Sequence, residues 1–483
     1  MAYRIKAIEL YLLETPPNRV SMSIGRMGSA GTRSTSPIAH VRMVVSDSEG
    51  NESFGCAADR LSVRWLDKRP GRDKGLKLRE LVRLIHAARN IYLASPEEFK
   101  SPFDHWRECY PKIIRAGEDA NQEALTSSFA AALFERAMLD AVCRLAGEPI
   151  HTMICEDRLG FEPAAFHPET KGLRVTDYTT ARPLTTFHVR HTVGNSDAIT
   201  GDDLPAEQRV NDGLPETLEE HIREDGVRYF KLKLSGDRKQ DLRRTARIWE
   251  ILPTNRGAHV TMDANEAYHD LAEFEAFVRD LEKQQLGLFQ HLLWIEQPLP
   301  RALTLDPETA PAIRRISERK PLLIDEADGS LTSYKTAYGI GYHGASHKNC
   351  KGFFKSLLNR ALVTHYNREG GPAFMSGEDL QNLPIVPLQQ DFASLAILGI
   401  EHCERNGHHY NYGLSMLSAK DKASVVSRNT DLYEKRGEEW FLKIRDGSVE
   451  CASLQCVGYG VADEPDWSSM EDLRTWLDRR YPA

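Results

Sequence analysis

Two lysines spaced two apart, Lys231 and Lys233, punctuate the apolar run Phe230-Lys231-Leu232-Lys233-Leu234. Three further short apolar runs come after it, and each ends in acid: Val260 to Asp263, Leu293 to Glu296, and Leu322 to Asp325-Glu326. Lys233 to Asp263 is 30 positions, Asp263 to Glu296 is 33, and Glu296 to Asp325 is 29. Three carboxylates are hard oxygen donors and suit a divalent cation, magnesium above all. A cation beside lysines has a specific use. It stabilises the enolate of a bound carboxylic acid, and a lysine at the same site can take the proton next to the carboxylate.

The elements that must hold these residues are legible from the same rhythm. Short apolar runs bounded by turns read as buried strands. Between them, Gln240–Ile251, Leu271–Gln284 and Pro307–Arg319 carry helical spacing. Strand, helix, strand at this interval implies parallel strands joined by helical crossovers. In a barrel of such units the carboxyl ends of the strands share one mouth, where chemistry sits. Lys231 and Lys233, at period two, point the same way. Asp263 has a competing reading as a helix N-cap, whereas Glu296, followed at once by Gln297-Pro298, does not. Asp325 and Glu326 compete for one ligand position, with Asp325 preferred and Glu326 its hydrogen-bonding neighbour.

The chain has 483 residues, room for two domains and a sizeable core. Its net charge of −8 argues against a general nucleic-acid binder. No apolar stretch approaches the roughly 18 residues of a membrane span, and the start lacks the apolar segment of a signal peptide. The eight cysteines include no C-x-x-C pair, which fits reduced core residues in a cytoplasmic protein.

In chain order, Ile5–Leu12 and His40–Ser46 read as strands, and Leu76–Leu93 and the Ala-rich Ser127–Leu145 as helices. Together they predict an α+β module over residues 1–155. Two segments are candidate lids: Asn18–Ser36, and Ala58–Arg72 with Arg60, Arg64, Trp65 and Lys68, whose arginines suit carboxylates or hydroxyls. Residues 156–415 then hold eight strand candidates. Thr186–Thr192 is the first, Tyr342–Lys348 the sixth, Ala373–Glu378 the seventh and Ile400–Asn406 the eighth. Glu378 and Asp379 end the seventh strand and read equally as a solvated turn. Asn406, His408 and His409 come at or after the end of the eighth, where a substrate could be touched. Residues 416–483 form a tail expected to fold back on the first module.

The K-x-K of Lys231 and Lys233, the D-x-N of Asp263 and Asn265, the I-E-Q-P of Ile295–Pro298 and the D-E of Asp325-Glu326 together resemble the enolase superfamily, in its mandelate racemase and muconate lactonizing enzyme branch. The Ala-rich helix before Gly147 adds to the resemblance, which covers most of residues 1–415. It implies an α/β fold: a modified (β/α)7β TIM-like barrel with an N-terminal α+β capping domain completed by the C-terminal tail. It implies one Mg2+ per subunit held by Asp263, Glu296 and Asp325, with Lys233 as acid/base on one face of a small-molecule carboxylate and Lys231 supporting it. Gly344–Gly352 resembles the muconate-lactonizing pattern, which makes Lys348 the opposite-face acid/base and leaves Lys351 as its rival. The seventh strand carries no histidine, which disfavours the mandelate-racemase version. Asn265, Glu326, Glu378, Asn406, His408, His409 and Arg60 are the candidate substrate contacts.

The fate of the enolate stays open at this point. The polar segments near the mouth favour dehydration of a sugar acid to a 2-keto-3-deoxy acid. Racemisation or epimerisation of an amino-acid or dipeptide-like acid, and cycloisomerisation, are the alternatives. A barrel that has lost its chemistry and only binds is a rival of another class. The resemblance also implies a homo-oligomer.

Overall fold

The computed structural model describes residues 2–21, 35, 37–94 and 98–482. Most of the first candidate lid, Asn18–Ser36, therefore lies outside the described residues. Its root does not: Arg19 is buried and grips both carboxylate oxygens of Asp212 at 2.7 Å.

The N-terminal module is an antiparallel sheet of β1 (Tyr3–Glu14), β2 (Pro37–Asp47) and β3 (Glu52–Arg60). Helices Lys74–Ala94, Pro102–Asp119 and Ala124–Ala146 accompany it. The last of these is buried along nearly its whole length and ends at Gly147, whose φ of 68° caps it in the left-handed region. Strand β3 escapes an alternation test because it is made of small residues, and its packing explains their size. A Cβ on Gly55 would lie 2.0 Å from the carbonyl oxygen of Ala137, so the helix presses directly on the strand. The helix Pro102–Asp119 is also absent from the sequence expectation, although Ser101 caps it and Pro102 opens it.

The Ala-rich helix also joins the modules. Its buried Arg136 pairs with Asp59 of β3 and donates to Gln390 on a barrel helix at 3.1 Å. Its Asp140 accepts from the amides of Cys56 at 2.9 Å and of Tyr459, in the tail, at 2.7 Å.

The barrel has eight parallel strands: β4 (Thr186–Val193), β5 (Tyr229–Lys233), β6 (His259–Asp263), β7 (Leu292–Glu296), β8 (Leu322–Ile324), β9 (Gly344–His347), β10 (Phe374–Gly377) and β11 (His402–Arg405). Pairing runs in sequence order, and β11 closes on β4 through Cys403 opposite Val189. Between successive strands lie helices Leu218–Glu224, Arg238–Ile251, Leu271–Gln284, Ala310–Arg319, Ser333–Ile340, Phe353–Arg368 and Val386–Leu398. Eight strands and seven helical crossovers, two of which also carry a short extra helix (Leu286–His291 and Arg301–Thr304), make the expected (β/α)7β barrel.

The tail carries the hairpin β12 (Tyr433–Arg436) and β13 (Glu439–Leu442), then β14 (Ser448–Glu450) and β15 (Glu471–Asp472). β15 pairs with β1, which adds the tail to the N-terminal sheet. β14 pairs antiparallel with the start of β4, so the tail also reaches the barrel, beyond the contact with the first module that the sequence suggests.

Candidate active site

Parallel register explains how residues so distant in sequence meet. Lys233 is the partner of Asp263, and Asp263 the partner of Glu296, in one row across β5, β6 and β7. The next residue in this ring, Asp325, comes directly after β8. All of these side chains are buried.

Lys231 lies at the centre. Its ammonium is 3.0 Å from Asp263, 2.8 Å from Glu296 and 3.1 Å from Glu404, and it also donates to Glu378. Burial alone would lower its pKa, but Asp263, Glu296 and the other carboxylates overcome this and hold it well above the usual lysine range. Lys233 is 2.6 Å from Asp263 and 3.7 Å from Glu404. Across the barrel, Lys348 is 2.6 Å from one oxygen of Asp325, and Lys351 is 3.0 Å from the other. The two are not equivalent. Lys351 donates to Ser346 Oγ at 2.6 Å and to the carbonyl of Asp325 at 2.9 Å, which ties it into the wall. Lys348 has its ammonium 4.3 Å from the ring centre of Trp65.

Trp65 belongs to the second candidate lid, which thus meets the cavity; its indole N–H donates to Glu326 at 3.1 Å. The first part of that segment, Ala58–Arg60, is the end of β3. Asn265 donates to the same Glu326 oxygen at 2.9 Å. Glu326 thus accepts two hydrogen bonds on one oxygen, next to Asp325. The competing role of Asp263 as a helix cap is filled by Asp270, which accepts from Ala272 at 2.8 Å. Asp263 instead accepts from the amide of Asn265 at 2.8 Å.

The I-E-Q-P motif has its own physical reason. Gln297 has φ of 36°. Its side-chain oxygen accepts from the amides of Asp325 at 2.8 Å and Ala327 at 3.1 Å. Its amide nitrogen donates to Leu299 and Thr304, each at 2.8 Å. One buried amide thus fixes the loop that presents Asp325. Gln297→Leu leaves two buried N–H groups without acceptors. It is expected to cost about 3 kcal/mol of stability in urea denaturation and to weaken divalent-ion affinity roughly 10–100-fold.

The charge balance tests whether a cation fits. Asp263, Glu296, Asp325, Glu326, Glu378 and Glu404 face Lys231, Lys233, Lys348, Lys351 and Arg190, the last paired with Glu378. With every group ionised, the six carboxylates exceed the five cations by one. Burial, with Asp263 and Glu378 nearby, pushes Glu296 well above the usual carboxylate range. Burial, with Asp325 nearby, pushes Glu326 up to about 7. Glu326 Oε2 and Asn265 Oδ1 are buried acceptors with no donor. Clustered carboxyls pushed up by one another's charge, and acceptor oxygens without donors, are what a hard divalent cation relieves.

The remaining expected residues take other places. Glu378 is deep in the barrel between Arg190 and Lys231, not in a solvated turn. Asp379 accepts from the amides of Asn382 at 2.6 Å and Asn406 at 2.8 Å and so shapes the rim. Asn406 reaches Glu404 at 3.3 Å. Arg60 donates to Gln381. His408 and His409 are not with the lysines; they bond to His191 and His221 on the other side of β4.

Sequence reasoning does not single out Glu404, Arg190, Thr192 or Ser346. Glu404 lies near the carboxyl end of the eighth expected strand, among polar neighbours from which only the pairing of β11 with β4 separates it. Thr192 donates to Glu404 at 2.6 Å and Ser346 donates to Asp325.

No protein-family model and no curated protein sequence matches the chain. Solved structures do. An enolase from Bradyrhizobium, complexed with magnesium and mandelic acid, superposes with a TM-score of 0.59 at 16% identity, over 97% of this chain and 98% of that one. A mandelate racemase/muconate lactonizing enzyme from Bordetella bronchiseptica RB50 gives 0.59 at 16% identity, over 98% and 99%. An enolase from Streptomyces coelicolor, described as a putative sugar isomerase, gives 0.58 at 14% identity, over 99% and 98%. The fold is theirs. The likeness spans both modules and the tail, so the capped (β/α)7β architecture is common to all of them.

Proposed function

We propose that this chain is a magnesium-dependent enzyme that removes a proton α to a carboxylate, and that its reaction is dehydration of a sugar acid to a 2-keto-3-deoxy acid. The observation that carries this is the placement of two lysines. Lys233 ends β5 and Lys348 comes directly after β9, four strands apart in a closed ring of eight, hence on opposite walls. Carboxylates lie between them. That arrangement addresses both faces of a carbon held at the centre.

Asp263, Glu296 and Asp325 would hold the magnesium, which would polarise the substrate carboxylate and offset the negative charge that develops on it. Lys233 takes the α-proton. The electrons of the broken C–H bond move onto the carboxylate to give the enolate, and then return to form a carbon–carbon double bond as the bond to the β-hydroxyl breaks. Lys348 gives its proton to that hydroxyl, which leaves as water, and the enol product tautomerises to the 2-keto acid. Lys231 keeps its charge beside Asp263 and Glu296. The rim is polar: Arg60, Gln381 and Asn406 suit hydroxyl groups better than an aromatic or acyl side chain. The Bradyrhizobium structure, with magnesium and mandelic acid, shows that the same fold takes a 2-hydroxy acid. The eight cysteines are all free thiols, which fits a reducing cytoplasm.

The opposed lysines also favour a second reading, racemisation or epimerisation, in which Lys348 reprotonates the α-carbon from the other face. A screen of acid sugars and of N-acyl and dipeptide acids with magnesium, read for 2-keto acid, separates the two. Keto acid from a sugar acid supports the dehydratase. Inversion without keto acid supports the epimerase.

Proton linkage gives a further expectation. Glu326 holds a proton below about 7, and magnesium favours the ionised cavity. Magnesium affinity should therefore rise with pH through the region around 7, by as much as about tenfold per unit for each proton displaced, and Glu296, held well above the usual carboxylate range, should carry the rise further. Glu326→Gln should remove the share of that slope that belongs to Glu326. Titration calorimetry at several pH values in buffers of different ionisation enthalpy checks both.

A further inference from the structure

Four histidines meet behind β4, away from the lysines. On β4 the side chains alternate: Arg190 and Thr192 face the cavity groups Glu378 and Glu404, and His191 between them points outward. There it meets His221 of helix Leu218–Glu224, and His408 and His409 just past β11. His191 Nδ1 lies 3.0 Å from His408 Nε2, and His221 Nε2 lies 2.9 Å from His409 Nδ1. One ligand nitrogen from each of His191, His221 and His408 falls within 4.8 Å of the others.

We propose that His191, His221 and His408 form a second metal site, for zinc or a similar borderline divalent transition ion, distinct from the magnesium cavity. Imidazole nitrogens suit zinc, copper and nickel and bind magnesium poorly. Tetrahedral zinc with bonds of about 2.0–2.1 Å separates its ligand nitrogens by about 3.4 Å. The close pair needs to open by only tenths of an ångström to reach this. Burial holds all three rings neutral, the form that ligates.

The surroundings are those of a built site. Asp225 is 2.7 Å from His221 Nδ1, so that nitrogen donates to the carboxylate and Nε2 carries the lone pair, which an ion would take over from His409 Nδ1 at 2.9 Å. On the far side, Asp197 is 3.6 Å from His409 Nε2. His408 Nδ1 is buried without a partner, which marks the ring as incompletely satisfied. His221 and His408 line a cleft of about 50 Å3, bounded by Leu214, Pro215, Arg436 and Phe441, which gives an ion its way in. The ion would fasten β4, helix Leu218–Glu224 and the turn after β11 together at the seam where the barrel closes. Arg19 bonds to that same turn, at His409 O, 3.0 Å, and Tyr410 O, 2.9 Å. The site therefore braces the contact that Arg19 makes with the barrel.

The test uses untagged full-length protein, stripped with chelator and then supplied with magnesium in large excess so that the acidic cavity is filled. Cobalt(II) is titrated as the spectroscopic stand-in for zinc. The expected result is one cobalt per chain, with intense visible d–d absorption of a four- or five-coordinate ion, discharged by zinc. His408→Ala should lose that absorption, and Asp325→Asn should keep it. His408 is only partly buried, so its truncation is expected to fold, and zinc should raise the melting temperature of the wild type but not of this variant. Crystals grown with zinc should show an anomalous peak among the three rings. Absence of the cobalt band in the wild type, or a band unchanged in His408→Ala, would overturn the proposal.

Discussion

Lys231→Met should be the most destabilising single change in the barrel. The wild-type ammonium is wholly buried and stands within hydrogen-bonding distance of Glu296, Glu378 and Glu404, with Asp263 at 3.0 Å. Removing it leaves that cluster without its central cation. Breaking a buried pair by deleting one partner costs about 3–5 kcal/mol, because the remaining charge has no counterpart. Here Glu296 is left without a cation, while Asp263 and Glu404 keep Lys233 and Glu378 keeps Arg190, so the loss should fall within that range. The sign with pH is set by the lysine. A folded-state pKa raised above the unfolded 10.5 gives stability that is fully present below 10.5 and is lost only as pH rises through the higher folded value. The deficit of the variant should therefore be undiminished at neutral pH. Magnesium, supplying positive charge to the same carboxylates, should recover part of it. Thermal unfolding of wild type and variant, each with and without magnesium, measures both effects. A variant as stable as the wild type without the metal would show that the carboxylates are protonated, not charge-paired.

The second large effect separates the two lysines that face each other. Lys233→Ala should lower turnover by about 10²–10⁴-fold, the usual contribution of a positioned acid/base group. It should abolish exchange of the α-proton with solvent as well. Lys348→Ala should lower turnover comparably yet still exchange that proton, because the first step belongs to the other wall. Lys351→Ala should behave differently from both. Its ammonium is spent on Ser346, the Asp325 carbonyl and the Asp325 carboxylate, so its loss should weaken metal binding before it affects proton transfer. Turnover and deuterium exchange measured side by side on the three variants give the assignment. Equal loss of exchange in Lys233→Ala and Lys348→Ala would point to two-base racemisation.

The rhythm of the chain makes the barrel readable. Each of the runs ending at Lys233, Asp263, Glu296 and Asp325 is apolar because it is buried on both faces, and each ends in charge because strand ends face the mouth. Helix Leu271–Gln284 is readable to the residue, since its apolar spacing and the Asp270 cap agree. The elements that escape do so for physical reasons. β3 is composed of small residues under an Ala-rich helix and shows no alternation. The helix Pro102–Asp119 contains Pro111, which speaks against helix in isolation. Glu404 stands in a polar strand end, Cys403-Glu404-Arg405-Asn406, where nothing in sequence tells the inward residue from its neighbours until β11 is paired with β4. The position of His408 and His409 after the eighth strand points to substrate, but in the fold they turn away from it. Their partners His191 and His221 lie about 200 positions earlier, so the histidine cluster exists only in three dimensions.

The most direct test of the central claim is the exchange reaction itself. Wild-type protein with magnesium in D2O, offered a panel of sugar acids and of N-acyl and dipeptide acids, is followed by proton NMR at the α-carbon, with chelator added in a parallel series. Deuterium is expected at the α-carbon of at least one acid, dependent on magnesium and absent in Lys233→Ala. No incorporation into any acid, together with no magnesium bound in calorimetry, would contradict enolate chemistry and leave the barrel as a binding scaffold.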